Sequence, residues 1–167
     1  MPADLTGDFI DATLFMGMHA KNDAVRAVSK AFFAGRITGR VLMSWEQVGR
    51  CDDLVWGFTR EVQDAYYPFM DVLHTDMAIA RIGYEEEDVR RAFTTPGLEG
   101  LPSHERLLVA QVMRRGGLLR TVSPRLRDRG DLPVARLEVP EHDAVFPAEL
   151  ERLYQDSLVL TVASEEL

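Results

Sequence analysis

Asp11, Glu46 and Glu105 are three acidic residues that an α/β fold could gather beside Thr121 and Ser123. Carboxylates crowded together repel one another. A hard divalent cation such as Mg²⁺ or Mn²⁺ relieves that repulsion and keeps several waters of its own. An ion held in this way can activate water and stabilise charge on a phosphoryl oxygen. No one of these positions is specific alone, because the helix dipole favours acidic residues in any first helical turn. The plainer reading of Asp11 is an N-cap for the segment that follows it.

The elements that must position these residues come from the apolar pattern. Phe9-Ile10 reads as a central strand with Asp11 at its exit, where open α/β sheets place their ligands. Thr13 to His19 reads as a short helix, and Asn22 or Asp23 caps a second one. Val41-Leu42-Met43 is a second buried strand. Ser44-Trp45-Glu46-Gln47 has the capping-box form, with Gln47 at the third helical position. The next helix carries Val48, Cys51, Val55, Phe58 and Val62 as an apolar stripe running to about Asp64. Pro68 then fits the start of a new helix burying Phe69, Val72, Leu73, Met77 and Ala80.

Helices from about Glu85 and from Ser103 to Arg115 follow, the second stopped by Gly116-Gly117. Leu118-Leu119 is a third strand leading to Thr121 and Ser123. Segments 133–137 and 158–162 read as a fourth and a fifth, with a helix from Pro147 to about Gln155 between them. Strands alternating with helices predict one α/β domain over 1–167: a three-layer α/β/α sandwich with a four- or five-stranded, mainly parallel sheet. Residues 139–167 supply the last helix and an edge strand. Asp11, Glu46 and the exit of the third strand then share one rim, and a helix start brings Glu105 to it.

Composition narrows the class. At 167 residues, 46% apolar and 28% charged, the chain suits one globular domain. It has no run approaching the roughly 20 apolar residues of a membrane span. Met1-Pro2-Ala3-Asp4 lacks the basic and apolar parts of a signal peptide, and Cys51 is the single cysteine, so a cytoplasmic protein is expected. Cys51 itself reads as a small core residue. A net charge of −8 argues against broad nucleic-acid binding. Arg114, Arg115, Arg120, Arg125, Arg127 and Arg129 form a local basic strip that reads as solvated surface.

Phe9-Ile10-Asp11-Ala12-Thr13, Val41-Leu42-Met43-Ser44-Trp45-Glu46, Glu105-Arg106-Leu107-Leu108-Val109-Ala110 and Leu118-Leu119-Arg120-Thr121-Val122-Ser123 together resemble the four signature segments of PIN domains. These are metal-dependent nucleases of single-stranded RNA and include toxins of bacterial toxin–antitoxin pairs. The resemblance runs from about residue 8 to 138. It implies Asp11, Glu46 and Glu105 as ligands of Mg²⁺ or Mn²⁺, with Ser123 orienting water or ligand. It also implies a single-stranded RNA substrate, a homodimer, and an antitoxin or other protein partner.

The chain departs from the family pattern at two positions. Glu105 stands where Asp is usual, and Ser123 stands where a fourth acid is usual, so the cleft has three acids at best. Asp53 lies on the same helix face as Glu46, about 10 Å further along the axis by helix rise, too far to share one ion directly. Arg50 is placed to pair with Glu46 and so to compete with a metal. The alternative reading is a degenerate PIN-like binding or accessory protein that does not cut RNA. Tyr66, Tyr67 and His74 flank the cleft in such folds. Thr13, Arg50, Asp53, Tyr67, His74 and Thr121 are therefore expected ligand contacts. His19 and His104 fall near the rim as cap-region residues. Trp56, Tyr66 and Tyr67 are expected as exposed aromatics of an interaction surface.

Overall fold

The computed structural model describes residues 7–167, so the reading of Met1-Pro2-Ala3-Asp4 lies outside the described residues. The chain runs β1 (Asp8–Ile10), α1 (Ala12–Gly17), α2 (Asp23–Ala34), β2 (Arg40–Ser44), α3 (Trp45–Trp56) and α4 (Arg60–Asp76). It continues through β3 (Ala78–Ile82), α5 (Glu86–Thr94), α6 (Ser103–Arg115), β4 (Leu118–Arg120) and α7 (Ala148–Ser157) to a 3₁₀ turn at Ser164–Glu166. The four strands form one all-parallel sheet in the order β3-β2-β1-β4. Phe9 faces Leu42 on one side and Leu119 on the other, so β1 is central.

Alternate strand residues feed two separate cores, as the period of two requires. Ile10, Val41 and Met43 join Leu14, Phe33, Phe69, Leu73 and Tyr154 from α1, α2, α4 and α7. Phe9, Leu42 and Leu119 join Ala92 of α5 and Leu108, Val109 and Val112 of α6. Helices therefore cover both faces, and the architecture is the three-layer α/β/α sandwich expected. Each fully buried side chain of this size contributes roughly 1.5–3 kcal/mol.

Local chemistry explains the boundaries. Asn22 Oδ1 accepts from Val25 N at 3.0 Å and starts α2, and Ser44 Oγ accepts from Gln47 N at 3.2 Å and starts α3. Glu85 N donates to Asp88 Oδ2 at 2.8 Å at the head of α5. Gly116 ends α6 at φ 65°, a left-handed conformation that favours glycine. At Gly117 a β-carbon would stand 2.6 Å from the Phe9 ring, so glycine is what lets the chain enter β4 beside β1.

The middle of the chain differs from the sequence reading. The helix after β2 stops at Trp56, and α4 begins at Arg60 and carries Pro68 in its interior. Burial of Tyr66, Phe69 and Leu73 on one face of α4 outweighs the backbone donor that Pro68 lacks. Residues 78–82 are a strand, not the tail of that helix. β3 is the sheet edge, with both faces partly exposed, so it lacks the apolar signature of β1 and β2.

Two expected strands shrink to single parallel bridges, Leu119 with Val134 and Ala20 with Val162. Ser103 is the first residue of α6, and Pro102 occupies the N-cap position. Among the described residues no helix is long and apolar enough to cross a membrane.

Candidate functional site

All four strands point the same way, so their carboxyl ends form one rim. The chain steps outward from β1 to β2 to β3 and then returns to the far side of β1 for β4. The order reverses between β1 and β4, the crevice where open α/β sheets bind ligands. Asp11 leaves β1 there, and Thr121, Val122 and Ser123 leave β4 there. Glu105 arrives from the first turn of α6, which runs back against β4.

Asp11 is 2% exposed and is both N-cap and cleft residue. Its Oδ1 accepts from Leu14 N at 2.9 Å and from the Thr13 hydroxyl at 2.8 Å, and its Oδ2 accepts from the Thr121 hydroxyl at 2.5 Å. The two threonine hydroxyls lie 3.0 Å apart, and each spends its single proton on Asp11. Their lone pairs take the backbone N–H groups of Val122 and Ser123, at 3.3 and 3.0 Å. Burial raises the Asp11 pKa, the hydrogen bonds oppose that rise, and the Glu105 carboxylate adds to it.

Glu105 is 3% exposed. Its Oε1 accepts from the Ser123 hydroxyl at 3.1 Å and from Arg125 Nε and Nη2 at 2.9 and 2.5 Å. Its Oε2 is buried without a hydrogen-bond partner. Glu46 Oε1 accepts from the Tyr84 hydroxyl at 3.1 Å, and the Tyr84 oxygen in turn accepts from Ser44 Oγ at 3.2 Å. Burial raises the Tyr84 pKa, so the phenol stays protonated and can donate to Glu46. His104 stands 3.9 Å from Glu105 and feels Glu46, Arg50 and Arg125 as well; burial first, then Arg50, lowers its pKa.

Arg50 and Asp53 line a cavity of about 160 Å³ with Ala12, Thr13 and Met16, closed on one side by Glu166 and Leu167. The expected Arg50–Glu46 pair is not among the ion pairs of the described residues; Tyr84 serves Glu46 instead. Gln47 does not complete the capping box. It accepts from Ala12 N at 2.9 Å, tying α3 to the turn after Asp11, and leaves its buried Nε2 without a partner.

The rim thus joins Asp11, Thr13, Thr121, Ser123 and Glu105 through hydrogen bonds, while Glu46 is held by Tyr84 and acts on His104, and Arg50 and Asp53 line the cavity beside Thr13. Tyr67 and His74 stand elsewhere. Tyr67 stacks edge-on against Tyr66, and His74 packs against Phe15 and accepts from Arg81 across α3 from the cleft. Tyr66 is 2% exposed, its hydroxyl on Met16 Sδ, so it is core and not interaction surface. His19 is also core: Tyr66, Phe69 and Tyr154 surround it edge-on. Cys51 is buried, as expected.

Tyr84, Arg125 and the Gln47 amide are the site groups that sequence reasoning missed. Tyr84 follows β3, whose sequence pattern reads as the tail of a helix; as a strand, Ala78–Ile82 carries Tyr84 to the rim. Arg125 lies two residues past Ser123, within a strip read as solvated surface. That strip is largely ion-paired: Arg114 with Asp88, Arg115 with Glu85, Arg120 with Asp8, Arg125 with Glu105, Arg129 with Asp131.

The donors as arranged do not fit a resident divalent cation. Both Asp11 oxygens are hydrogen-bonded, Glu105 is paired with a guanidinium, and Ser123 offers a hydroxyl that is spent on Glu105. Among the described residues no group of three His, Cys, Asp or Glu side chains could hold a metal ion. What fold and site define is an α/β/α protein with a carboxylate cleft at the sheet's reversal point, braced by threonines and closed by an arginine. The chain belongs to DUF6190, a family of unknown function whose model matches residues 1–167. Comparison with curated proteins gives no match.

Proposed function

We propose that this chain is a PIN-like protein whose cleft binds a ligand or a protein partner without cutting RNA. The observation that carries this reading is Arg125 on Glu105. It places a positive charge where a nuclease of this type needs a free carboxylate. A hard cation site gains affinity with ligand charge, and here Arg125 and Ser123 both lower it.

The competing reading is a Mg²⁺- or Mn²⁺-dependent phosphodiesterase acting on single-stranded RNA. One observation favours it: Glu105 Oε2 is buried and unpartnered, while Arg125 is 48% exposed. Purified protein is incubated with single-stranded RNA and Mn²⁺, beside an Asp11→Asn control. No cleavage by either protein is expected. Cleavage by the natural chain that Asp11→Asn abolishes would establish the nuclease and overturn the binding reading.

For partners, Trp56 at the end of α3 is 70% exposed. A second copy of the chain, or a small antitoxin-type protein, would cover it. Light scattering at micromolar concentration tests the homodimer, and a monomer mass rejects it.

A further inference from the structure

A second cavity, about 220 Å³, lies across α3 from the acidic cleft. The helix divides its residues between the two. Glu46, Arg50 and Asp53 serve the cleft side, while Trp45, Val48 and Asp52 line the second cavity. Phe15, Met43 and Tyr66 form its buried apolar floor. An indole and a guanidinium stand over that floor. Trp45 is 57% exposed, and the Arg81 guanidinium carbon is 5.8 Å from its ring.

His74 holds Arg81 in place. Arg81 Nη2 meets His74 Nδ1 at 2.9 Å. A guanidinium has no acceptor, so Nδ1 accepts and the ring proton sits on Nε2. Burial, then the charge of Arg81, pushes His74 down to about 4. The ring is therefore a neutral brace at physiological pH.

We propose that this cavity binds a small planar aromatic carboxylic acid, its ring on the apolar floor against Trp45 and its carboxylate paired with Arg81. The size admits one ring with a short tail, since drug-sized ligands need about 300 Å³ or more. At the rim Arg81 offers its guanidinium to one carboxylate, and Asp52 limits how much further negative charge the site accepts. Arg81 supplies one guanidinium, Asp52 stands on the same wall as a carboxylate, and the chain's net charge is −8. A phosphate dianion would meet more repulsion than a carboxylate. The site does not depend on what the cleft does.

The chain has two tryptophans, so Trp56→Phe leaves Trp45 as the sole indole. Its fluorescence is titrated with phenylacetate, phenethylamine and cytidine monophosphate, each to millimolar concentration. Phenylacetate is expected to change the emission saturably, and the other two are not. Arg81→Met should weaken phenylacetate about tenfold or more, the scale of a charge-assisted bond. Arg60→Met, on the exposed side of α4, should leave it unchanged. His74→Asn, which keeps an acceptor for Arg81, should lose less than His74→Leu. Thermal melts verify that each variant is folded; if Arg81→Met is not, Arg81→Gln gives the same comparison. Absence of saturation by phenylacetate, equal affinity in the Arg81 variant, or tighter binding of the amine or the nucleotide would each overturn the proposal.

Discussion

Arg125 sets two nitrogens on one oxygen of Glu105, at 2.9 and 2.5 Å, and leaves the other carboxylate oxygen buried with no partner. The pair is lopsided in exposure, with side chains 48% and 4% accessible. Glu105 depends on Arg125 far more than the reverse. Arg125→Ala should therefore strand a buried carboxylate and destabilise the fold by about 1–2 kcal/mol, less than a fully buried pair because Arg125 is half in solvent. Adding Glu105→Gln should recover most of that loss. Urea denaturation of the single and double variants measures both, and a single variant as stable as the natural chain rejects the dependence.

Asp11 carries a different kind of cost. Burial raises its pKa despite three donors, so its ionised form is the strained one. Asp11→Asn keeps an acceptor for Leu14 N and Thr13. The new amide donates to Thr121 Oγ, whose proton can turn to Thr13 Oγ, 3.0 Å away. We expect the variant to be more stable at neutral pH by about 1 kcal/mol. The sign with pH follows from a raised folded pKa. The cost of ionised Asp11 fades as pH falls through that folded value toward the ordinary 3.8, so the advantage of Asn must shrink there. Paired melts across acid pH measure it; an advantage that grows on acidification is the wrong outcome.

His19 makes the core acid-sensitive. Ser157 Oγ donates to the Tyr154 carbonyl at 2.6 Å, so it accepts from His19 Nε2 at 2.7 Å, and His19 Nδ1 is left buried without a partner. Burial pushes His19 from 6.5 down to about 3. A lowered folded pKa means that its contribution is intact above 6.5 and is lost as pH falls toward 3. The ceiling on that loss is roughly 4–5 kcal/mol. Denaturation midpoints should drop steadily over this window, and His19→Phe should flatten the slope. An unchanged slope in His19→Phe would assign the acid sensitivity elsewhere.

The sheet's centre and the rim were legible because β1 and β2 are buried on both faces, and their apolar runs end in polar residues. Asp11, Ser44 and Gly116 follow from capping chemistry that is local in sequence. β3 was hidden because an edge strand with partly exposed faces carries no burial pattern, and Tyr84 was hidden with it. Pro68 misled for the opposite reason: tertiary burial of Phe69 and Leu73 overrode a local rule. Arg125 could not be found by type or spacing. Its pairing with Glu105 joins residues 20 apart, and only the packing of α6 against the loop after β4 brings them together.

If charge is what bars a divalent cation, restoring charge should admit one. Ser123 is 1% exposed and donates to Glu105, so Ser123→Asp alone replaces a donor with a buried carboxylate and should destabilise the metal-free protein. Combining it with Arg125→Ser removes the competing guanidinium and leaves Asp11, Glu46, Glu105 and residue 123 as four acids on one rim. A hard cation then relieves their mutual repulsion without protonating them. We expect little Mn²⁺ binding by the natural chain in calorimetry and clear binding by the double variant. Binding to the native state alone should raise its melting temperature as Mn²⁺ is added, by mass action. The Arg125→Ser single variant separates the two terms: binding regained there would make the guanidinium the main bar, and binding only in the double variant would make it the missing fourth acid. Saturable Mn²⁺ binding by the natural chain itself would show that Arg125 yields to the ion, and would return the cleft to the nuclease reading.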